Sequence, residues 1–284
     1  MMRLGIHVKT AQGLPAAVDA AQRIGCETIQ IFAGNPNAWH EGVVNPLAAE
    51  TFRLRTRELG IRPVILHTAY LLNLASKDDL TYSRSVNALT QALNRAGLLD
   101  AEYVVTHIGS HGGSGYDTGL QRIQQAVRTA LSNSSGNKTV LLESGAGAGN
   151  TIGSRFDQVA DILSGLDDCA DRVGVALDTA HLWGAGYDMS QPDSVIRTLD
   201  DFDGLVGIGR LKLMHMNDTQ MDLGSHRDRH WHIGKGNIGL EGFGALVNHP
   251  ALSGIPGILE TPMDEPGWDY TNLSLLKSLR NNLI

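Results

Sequence analysis

"VGVALDTAH", residues 173–181, is a short apolar run that ends on the carboxylate of Asp178 and places His181 three residues further on. Near-continuous apolar runs of this length are typical of parallel strands that are buried on both faces. Seven further runs of the same kind are spaced along the chain: RLGIHV, TIQIFAG, PVILHTA, YVVTHIGS, TVLLESG, LKLMHMND and GIPGILET. The sequence therefore predicts eight parallel strands.

Amphipathic segments lie between these runs and predict helices. In NPLAAETFRLRTRELG, Asn45 is a predicted N-cap, Pro46 occupies the first turn and Gly60 ends the helix. The segments LTYSRSVNALTQALNRAG, LQRIQQAVRTALS and SRFDQVADILSGL also carry apolar residues at helical spacing. Because strand and helix alternate eight times without a linker, we predict an α/β fold, a (β/α)8 TIM barrel that forms one catalytic domain over residues 1–284.

The composition is that of a globular protein from a reducing compartment. The 284 residues include only two cysteines, Cys26 and Cys169, which lie far apart and form no C-x-x-C motif, so a disulfide framework or a thiolate zinc site is not expected. The first residues, MMRLGIHVKT, contain no apolar region of signal-peptide length, and the sequence has no apolar run of about 18 residues, so we expect a cytoplasmic protein without membrane contacts. The net charge of −7 argues against a broad basic surface for nucleic acid, unless bound divalent cations offset it.

Metal-capable side chains end six of the eight runs. They follow one another at intervals of 35 to 45 residues, about one strand–helix unit each, and are His67, His107, Glu143, Asp178, His215 and Glu260. Because the carboxyl ends of the strands form the active-site face of this fold, these side chains should converge on one mouth. Buried carboxylates are costly without partners, and cations are the simplest partners for carboxylates that lie beside imidazoles. The strand ends therefore predict a metal centre.

The stretch DRHWHIGKG, residues 228–236, follows the seventh run and adds candidate ligands. Asp228 and His230 alternate onto one side of an extended segment, and His181 lies just beyond the end of the sixth strand. His232 shares the same periodicity, so spacing alone leaves His230 and His232 as alternatives. Nine oxygen and nitrogen ligands are too many for one tetrahedral ion, which predicts two or three ions of Zn²⁺ or Mn²⁺ with a bridging carboxylate.

Taken together, these motifs resemble the endonuclease IV family of apurinic/apyrimidinic endonucleases over essentially the whole chain. The motifs that carry the resemblance are GIHVKTAQGL, HTAYLLNLAS, THIGSH, LDTAHLWGAGYD, HMNDTQMDLGSHRDRHWHIGKGNIG and ILETP. That family has a (β/α)8 barrel with three zinc ions. The resemblance implies three ligand sets, which are His67, His107 and Glu143; then Glu143, Asp178, His215 and Glu260; then His181, Asp228 and His230. It also implies that His232 is a neighbour of phosphate or a hydrogen-bond donor behind the ligands.

The resemblance further implies the reaction. The family hydrolyses the phosphodiester 5′ to an abasic site in double-stranded DNA, leaves a 3′-hydroxyl and trims blocked 3′ ends, which are steps of base excision repair. A cation cluster lowers the pKa of water and neutralises the charge that develops at phosphorus. Glu143, shared by two ligand sets, is implied as the catalytic residue that orients or deprotonates the attacking water. We expect a monomer.

Contacts to DNA are also implied by the resemblance. Tyr70 and Leu71 match a family loop in which an aromatic residue and a leucine wedge into the duplex, with a simple packed loop as the alternative. The candidate phosphate contacts on the rim are Arg227, Arg229 and Lys235. Two positions depart from the family, since Asn37 stands where an arginine commonly fills the gap in the base stack, and Ser144 stands where asparagine is common. Neither is an implied ligand, so affinity or lesion preference should differ, and the chemistry should not.

Two other functions fit parts of the pattern. A metal-dependent sugar isomerase or epimerase uses a similar barrel, but it needs one or two ions and gives no role to the set of His181, Asp228 and His230. A non-catalytic protein that binds damaged DNA should have lost ligand side chains, whereas all nine are present.

Overall fold

In the computed structural model, which describes residues 1–39 and 42–280, eight parallel strands close into a barrel. The strands are β1 (Arg3–His7), β2 (Thr28–Phe32), β3 (Val64–His67), β4 (Tyr103–His107), β5 (Thr139–Glu143), β6 (Val173–Asp178), β7 (Leu211–His215) and β8 (Pro256–Leu259). Each strand pairs with the next one along the chain, and β1 pairs with β8 to close the barrel. The predicted (β/α)8 fold is confirmed.

Helices follow the strands and surround the barrel. They are α1 (Leu14–Ile24), α2 (Pro46–Glu58), α3 (Asp79–Leu99), α4 (Tyr116–Asn133), α5 (Phe156–Ser164), α6 (Thr179–Ala185), α7 (Pro192–Leu205), α8 (Gly239–Asn248) and α9 (Trp268–Ser278). Short 3-10 turns occur at Asp167–Arg172, Ile208–Arg210 and Pro250–Leu252. In the described ranges, none of the helices is both long and apolar enough to cross a membrane.

Helix α2 begins and ends as its sequence predicts. The side chain of Asn45 accepts hydrogen bonds from the backbone N–H groups of Leu47 and Ala48, which satisfies two donors that the first helical turn leaves free. After the last helical residue, Gly60 takes a φ of +63°, a left-handed conformation that favours glycine.

Inside the barrel, the strands form a small apolar layer that is separate from the core between strands and helices. It consists of one fully buried residue from each of β3 to β8, namely Ile65, Val105, Leu141, Ala176, Leu213 and Ile258. Side chains alternate along a strand with a period of two, so the next position to face inward lies two residues further on. That position is His67, His107, Glu143, Asp178, His215 or Glu260. Barrel closure therefore brings these six side chains to one level.

The prediction for the eighth strand needs a small correction. Glu260 was expected to end β8, but the strand ends at Leu259 and Glu260 is the first residue after it. The backbone N–H of Glu260 donates to the side-chain oxygen of Asn217 at 2.7 Å instead of continuing the sheet. The inward direction of the side chain is kept.

Candidate metal centre

A cavity of about 670 Å³ opens at the carboxyl ends of the strands. Seven of the nine predicted ligands line it, and the other two, Asp178 and His215, are fully buried directly behind them. A second cavity of about 390 Å³ adjoins it and shares Tyr70, His107 and Glu143 in its wall. The predicted ligands therefore surround one open space at the active-site face of the barrel.

Three groups of side chains among the described residues have the composition and spacing to hold a cation. The first is His67, His107 and Glu143; the second is Glu143, Asp178, His215 and Glu260; the third is Asp178, His181 and His230. In each group the ligand atoms all lie within 4.8 Å of one another. The first two groups have the members that the sequence analysis expected, and the third contains Asp178 where that analysis had Asp228. Because Glu143 and Asp178 are each shared, the three groups adjoin.

Asp228 lies against the third group from the solvent side. Its Oδ2 is 3.2 Å from Nε2 of His181, and its Oδ1 is 3.3 Å from Nε2 of His230. Its side chain is 55% exposed, whereas that of Asp178, whose Oδ2 is 3.5 Å from Nε2 of His230, is fully buried. The third group is therefore enclosed by two carboxylates.

Asp178 also starts a helix. Its Oδ1 accepts hydrogen bonds from the backbone N–H groups of Ala180 and His181, at 2.7 and 3.0 Å, as the N-cap of α6. Its Oδ2 accepts from the amide of Asn217 at 2.7 Å and faces His230. One carboxylate thus fixes the first turn of α6, which carries His181, and also faces the third group.

Four of the imidazoles are held by an oxygen acceptor at one ring nitrogen. The pairs are His67 Nδ1 with the carbonyl of Thr68 at 2.7 Å, His181 Nδ1 with the carbonyl of Ser144 at 2.7 Å, His230 Nδ1 with the carbonyl of Glu260 at 3.2 Å, and His215 Nε2 with Oε1 of Gln30 at 2.9 Å. An amide oxygen can only accept, so the bonded nitrogen carries the proton and the other nitrogen faces the cavity groups. This arrangement is the usual support for histidine ligands of metals.

Ser144, which departs from the family pattern, acts here through its backbone. Its carbonyl oxygen accepts from His181, and this contact does not depend on the identity of the side chain. The Ser144 hydroxyl accepts from the backbone N–H of Asp178 at 3.3 Å. The departure leaves the support of His181 intact.

The electrostatics of the site favour a cation. Burial alone would raise the pKa of Glu143, but the charges of His215 and His107 hold it well below its ordinary value. Burial alone would lower the pKa of His215, but the charges of Glu260 and Glu143 raise it to about 9. Glu143 is therefore held in its ionised form, and the carboxylates around His215 stabilise positive charge there, as they would stabilise a bound divalent cation.

One buried atom gives a direct test of whether these residues fit a metal. Nε2 of His230 is buried and, among the described residues, has no hydrogen-bond partner, although Asp228 and Asp178 oxygens lie 3.3 and 3.5 Å away. A buried polar nitrogen without a partner is costly, and two carboxylates face it at distances that leave room for a shared partner. The donor set of imidazoles and carboxylates, without thiolates, suits Zn²⁺ or Mn²⁺. The residues therefore fit a metal centre.

Two further side chains at the same inward-facing level, His7 and Gln30, were not predicted from the sequence. His7 ends β1 and Gln30 lies in β2, opposite His7 in the strand pairing, so that β1 to β7 and the first residue after β8 each place a polar side chain at the site. Gln30 Nε2 donates to Oε1 of Glu260 at 2.6 Å and lies 3.0 Å from Nδ1 of His7. The available signal was a polar residue at an inward position of an otherwise apolar run.

His232 contacts none of the predicted ligands among the described residues, so the expectation that it is a hydrogen-bond donor behind them is not supported, and its expected place beside phosphate stays a prediction. Its side chain is buried and stacks on the ring of Trp268, with the centroids 3.9 Å apart. Its Nε2 faces Asp264 at 3.2 Å, and the amide of Asn272 lies 3.0 Å from its Nδ1. Spacing could not separate His230 from His232, but the structure gives His232 a packing role.

A buried carboxylate shapes the loop that follows His230. Asp218 is fully buried and accepts hydrogen bonds from the backbone N–H groups of Thr219, Gly234, Gly236 and Ile238, at distances between 2.8 and 3.1 Å. A Cβ at Gly236 would lie 2.3 Å from the carbonyl oxygen of Thr219, so only glycine allows this approach. The GKGNIG segment is therefore wrapped around one side chain.

The predicted DNA contacts lie at different distances from the cavity. Tyr70 is 58% exposed and lines the main cavity together with Arg229, and Leu71 is 37% exposed and lines the adjoining one. Arg227 lines a separate cavity on the other side of Asp228. The remaining two predicted contacts, Asn37 and Lys235, are exposed and do not line the main cavity. The Nζ of Lys235 lies 4.8 Å from the ring centroid of Trp268.

Comparison with known proteins agrees with this geometry. A family model described as a xylose isomerase-like TIM barrel matches residues 18–280. A protein named probable endonuclease 4 from Halothermothrix orenii is 41% identical over 261 residues, which cover 92% of this chain and 94% of that protein. A protein of the same name from Chloroflexus aurantiacus is 40% identical over 281 residues, which cover 98% of each chain.

A solved structure is similar at the level of the fold and of the sequence. The crystal structure of endonuclease IV from Thermus thermophilus superposes with a TM-score of 0.87 at 32% identity, over 98% of each chain. Near-complete coverage at these identities exceeds what a shared barrel alone would give. The chain belongs to the endonuclease IV family of xylose isomerase-like TIM barrels.

Proposed function

We propose that this protein is a zinc-dependent repair phosphodiesterase that cleaves double-stranded DNA on the 5′ side of abasic sites and leaves a 3′-hydroxyl. Membership of the endonuclease IV family makes it a DNA-cleaving hydrolase. Trimming of blocked 3′ ends and a role in base excision repair are parts of the same proposal. The observation that carries it is the set of three adjoining donor groups around one open cavity.

The residues that would hold the ions follow from the three groups. His67, His107 and Glu143 would hold the first, and the second would share Glu143 and use Asp178, His215 and Glu260. The third would be held by His181, Asp228 and His230, with Asp178 close by. When bound, zinc ions (or Mn²⁺ at some positions) supply Lewis acidity and positive charge opposite the scissile phosphate.

Glu143 is the proposed catalytic residue. Its carboxylate lies at the junction of the first two groups, with Oε2 3.2 Å from Nε2 of His67 and Oε1 3.0 Å from Nδ1 of His215. A buried, ionised carboxylate in this position can orient the attacking water and accept its proton. The water oxygen bonds to phosphorus, the bond from phosphorus to the 3′ oxygen breaks, and a proton goes to that oxygen to give the 3′-hydroxyl.

The exposed side chains at the rim are the proposed DNA contacts. Tyr70 lines both cavities and Leu71 lines the adjoining one, where a wedge would enter a distorted duplex. The other proposed contacts are Asn37 and the cations Arg227, Arg229 and Lys235, which would bind phosphate groups. The protein is proposed to act as a monomer.

Cleavage of a duplex with a single abasic analogue, together with metal analysis of the same preparation, tests this function. We expect cleavage only at the analogue, a product that a DNA polymerase can extend, and about three zinc ions per chain. Glu143→Gln should abolish cleavage, whereas Asp188→Asn, which changes a carboxylate that bonds to the nearby Ser190 and lies outside the donor groups, should leave it intact. An intact duplex after incubation with the zinc-loaded protein would refute the endonuclease, and no more than one tightly bound ion would refute the three-metal centre.

The same protein preparation can also be assayed for sugar isomerase or epimerase activity. Turnover of keto-sugars without cleavage of the abasic duplex would support that function. The third donor group, which shares Asp178 with the second, has no task in such chemistry.

A further inference from the structure

We propose that Gln30 is a positioning residue of the metal centre, which fixes the tautomer and orientation of His215 and the rotamer of Glu260. The inference rests on the proposed function, because it concerns the second donor group as a metal site. Within the described residues, strand β2 supplies no ligand to the three groups. Its influence on their geometry comes through the hydrogen bonds of the Gln30 side chain.

The hydrogen bonds of the Gln30 side chain are made to site residues. The side chain is fully buried, and its Nε2 lies 2.6 Å from Oε1 of Glu260 and 3.0 Å from Nδ1 of His7, while its Oε1 lies 2.9 Å from Nε2 of His215. An ionised carboxylate needs a donor, so the amide nitrogen must face Glu260 and the amide oxygen must face His215. The polar atoms of this buried amide are therefore committed to the site.

The amide oxygen determines which nitrogen of His215 faces the donor group. Because that oxygen can only accept, His215 must carry a proton on Nε2, and its Nδ1 is then the atom presented to the group. Nδ1 lies 3.0 Å from Oε1 of Glu143 and 3.4 Å from Oε2 of Glu260. The ligand atom of His215 is thus selected from behind by Gln30.

The corresponding support of the other held imidazoles comes from the backbone. Carbonyl oxygens hold His67, His181 and His230, and no substitution removes a carbonyl. For His215 the acceptor is a side chain, so this support can be removed by mutation. Loss of a hydrogen-bond partner behind a histidine ligand typically lowers metal affinity by about 10-fold to 100-fold.

The test compares Gln30→Met with a control on the same strand. Methionine has nearly the same length as glutamine but makes neither hydrogen bond. Thr28→Val is the control, because Thr28, the first residue of β2, is equally buried and its hydroxyl donates to the carbonyl of Pro63 at 2.6 Å, outside the donor groups. Both variants lose buried hydrogen bonds in β2, but only the first should affect the metal centre.

Zinc retention and a spectroscopic signature are the readouts. Zinc-loaded proteins are challenged with a chelator, and we expect Gln30→Met to bind one zinc about 10-fold to 100-fold more weakly, while Thr28→Val retains zinc as the wild type does. In the wild type, ¹⁵N NMR of the histidine rings should show His215 with its proton on Nε2. This measurement needs no variant and holds even if Gln30→Met does not fold.

Each outcome supports or overturns the proposal. Wild-type zinc retention in Gln30→Met, equal zinc loss in Thr28→Val, or a His215 proton on Nδ1 in the zinc-loaded wild type would overturn it and leave the endonuclease function standing. A wild-type protein that binds no zinc would overturn the metal centre itself, and this inference with it.

Discussion

Replacement of Asp218 by alanine should destabilise the protein and damage one part of the site more than the rest. Asp218 accepts four backbone hydrogen bonds, from the N–H groups of Thr219, Gly234, Gly236 and Ile238. The alanine side chain has no hydrogen-bond acceptor and makes none of these bonds. The four N–H groups would then have to find water or remain without partners.

The magnitude follows from how deeply those groups are buried. The bonds from Thr219 and Ile238 are fully buried, and each N–H left without a partner costs about 1–3 kcal/mol. The bonds from Gly234 and Gly236 are only partly buried, so water can replace much of what is lost. Burial raises the pKa of Asp218, which shows that the carboxylate carries a desolvation cost that alanine removes. A net loss of about 2–4 kcal/mol is expected, a large share of a typical folding free energy.

Urea unfolding of the wild type and of Asp218→Ala measures this loss, and zinc analysis of the folded variant measures its effect on the site. The loop that Asp218 holds is contiguous with His230, so the variant should lose zinc from the third group before it loses zinc from His67 and its neighbours. Asp188→Asn is again the control, since that carboxylate bonds to the nearby Ser190, and we expect it to cost less than about 1 kcal/mol. If the free energy of unfolding of Asp218→Ala lies within about 0.5 kcal/mol of the wild-type value, the loop does not depend on this carboxylate and the reasoning is wrong.

Three further outcomes are expected. Replacing both Tyr70 and Leu71 with alanine should weaken binding to a duplex with an uncleavable abasic analogue and leave the melting temperature nearly unchanged, because both side chains are exposed; a large fall in melting temperature would make them core residues. Asn37→Arg should tighten binding to the same duplex, since a stacking contact contributes on the order of 1–3 kcal/mol, and should steepen the salt dependence by at most about one counterion; equal affinity at every salt concentration would show that position 37 does not face DNA. Burial alone would raise the pKa of Glu27, but hydrogen bonds from Arg280 and the backbone, with nearby positive charge, lower it to about 2. The stabilisation that ionised Glu27 contributes is therefore fully present above its unfolded pKa of about 4.3 and is lost as the pH falls through about 2. After a discount for solvent exposure, this contribution to the free energy of unfolding is about 1 kcal/mol. Urea titrations at several acidic pH values should show a shallower pH dependence for Glu27→Gln, and equal slopes would contradict the assignment.

The fold was predictable because its signal repeats. Each strand is an apolar run, each run is followed by a helical segment, and local chemistry such as the Asn45 N-cap marks the boundaries. The end of β8 was misplaced by one residue because Glu260 follows an apolar run directly, and periodicity does not reveal that its N–H bonds to Asn217. Tertiary hydrogen bonds of this kind cannot be predicted from the local sequence.

The site was predictable only at positions where the residue type itself indicates a chemical role. Most histidines and acids at strand ends stand out from apolar runs, although His7 at the end of β1 was missed. Gln30 is neutral, and its place at the inward-facing level was not visible in the sequence. His230 and His232 both alternate onto one side of the segment, and the structure distinguishes them: His232 stacks on Trp268 and contacts Asp264 and Asn272, whereas His230 lines the cavity. The Asp218 carboxylate was missed because its four partners are backbone groups, which no side-chain pattern reports.

The double task of Asp178 has an evolutionary consequence. One of its oxygens starts helix α6 and the other faces the donor groups, so selection for a correctly started helix also preserves a candidate ligand. A duplicated copy of this gene that no longer cleaved DNA would still be under pressure to keep the carboxylate, whereas Asp228, which lies in a loop and is half exposed, would be free to drift. Inactive descendants should therefore lose Asp228 first and keep Asp178. An aspartate retained at position 178 would then reflect a requirement for folding and would not indicate that catalysis survives.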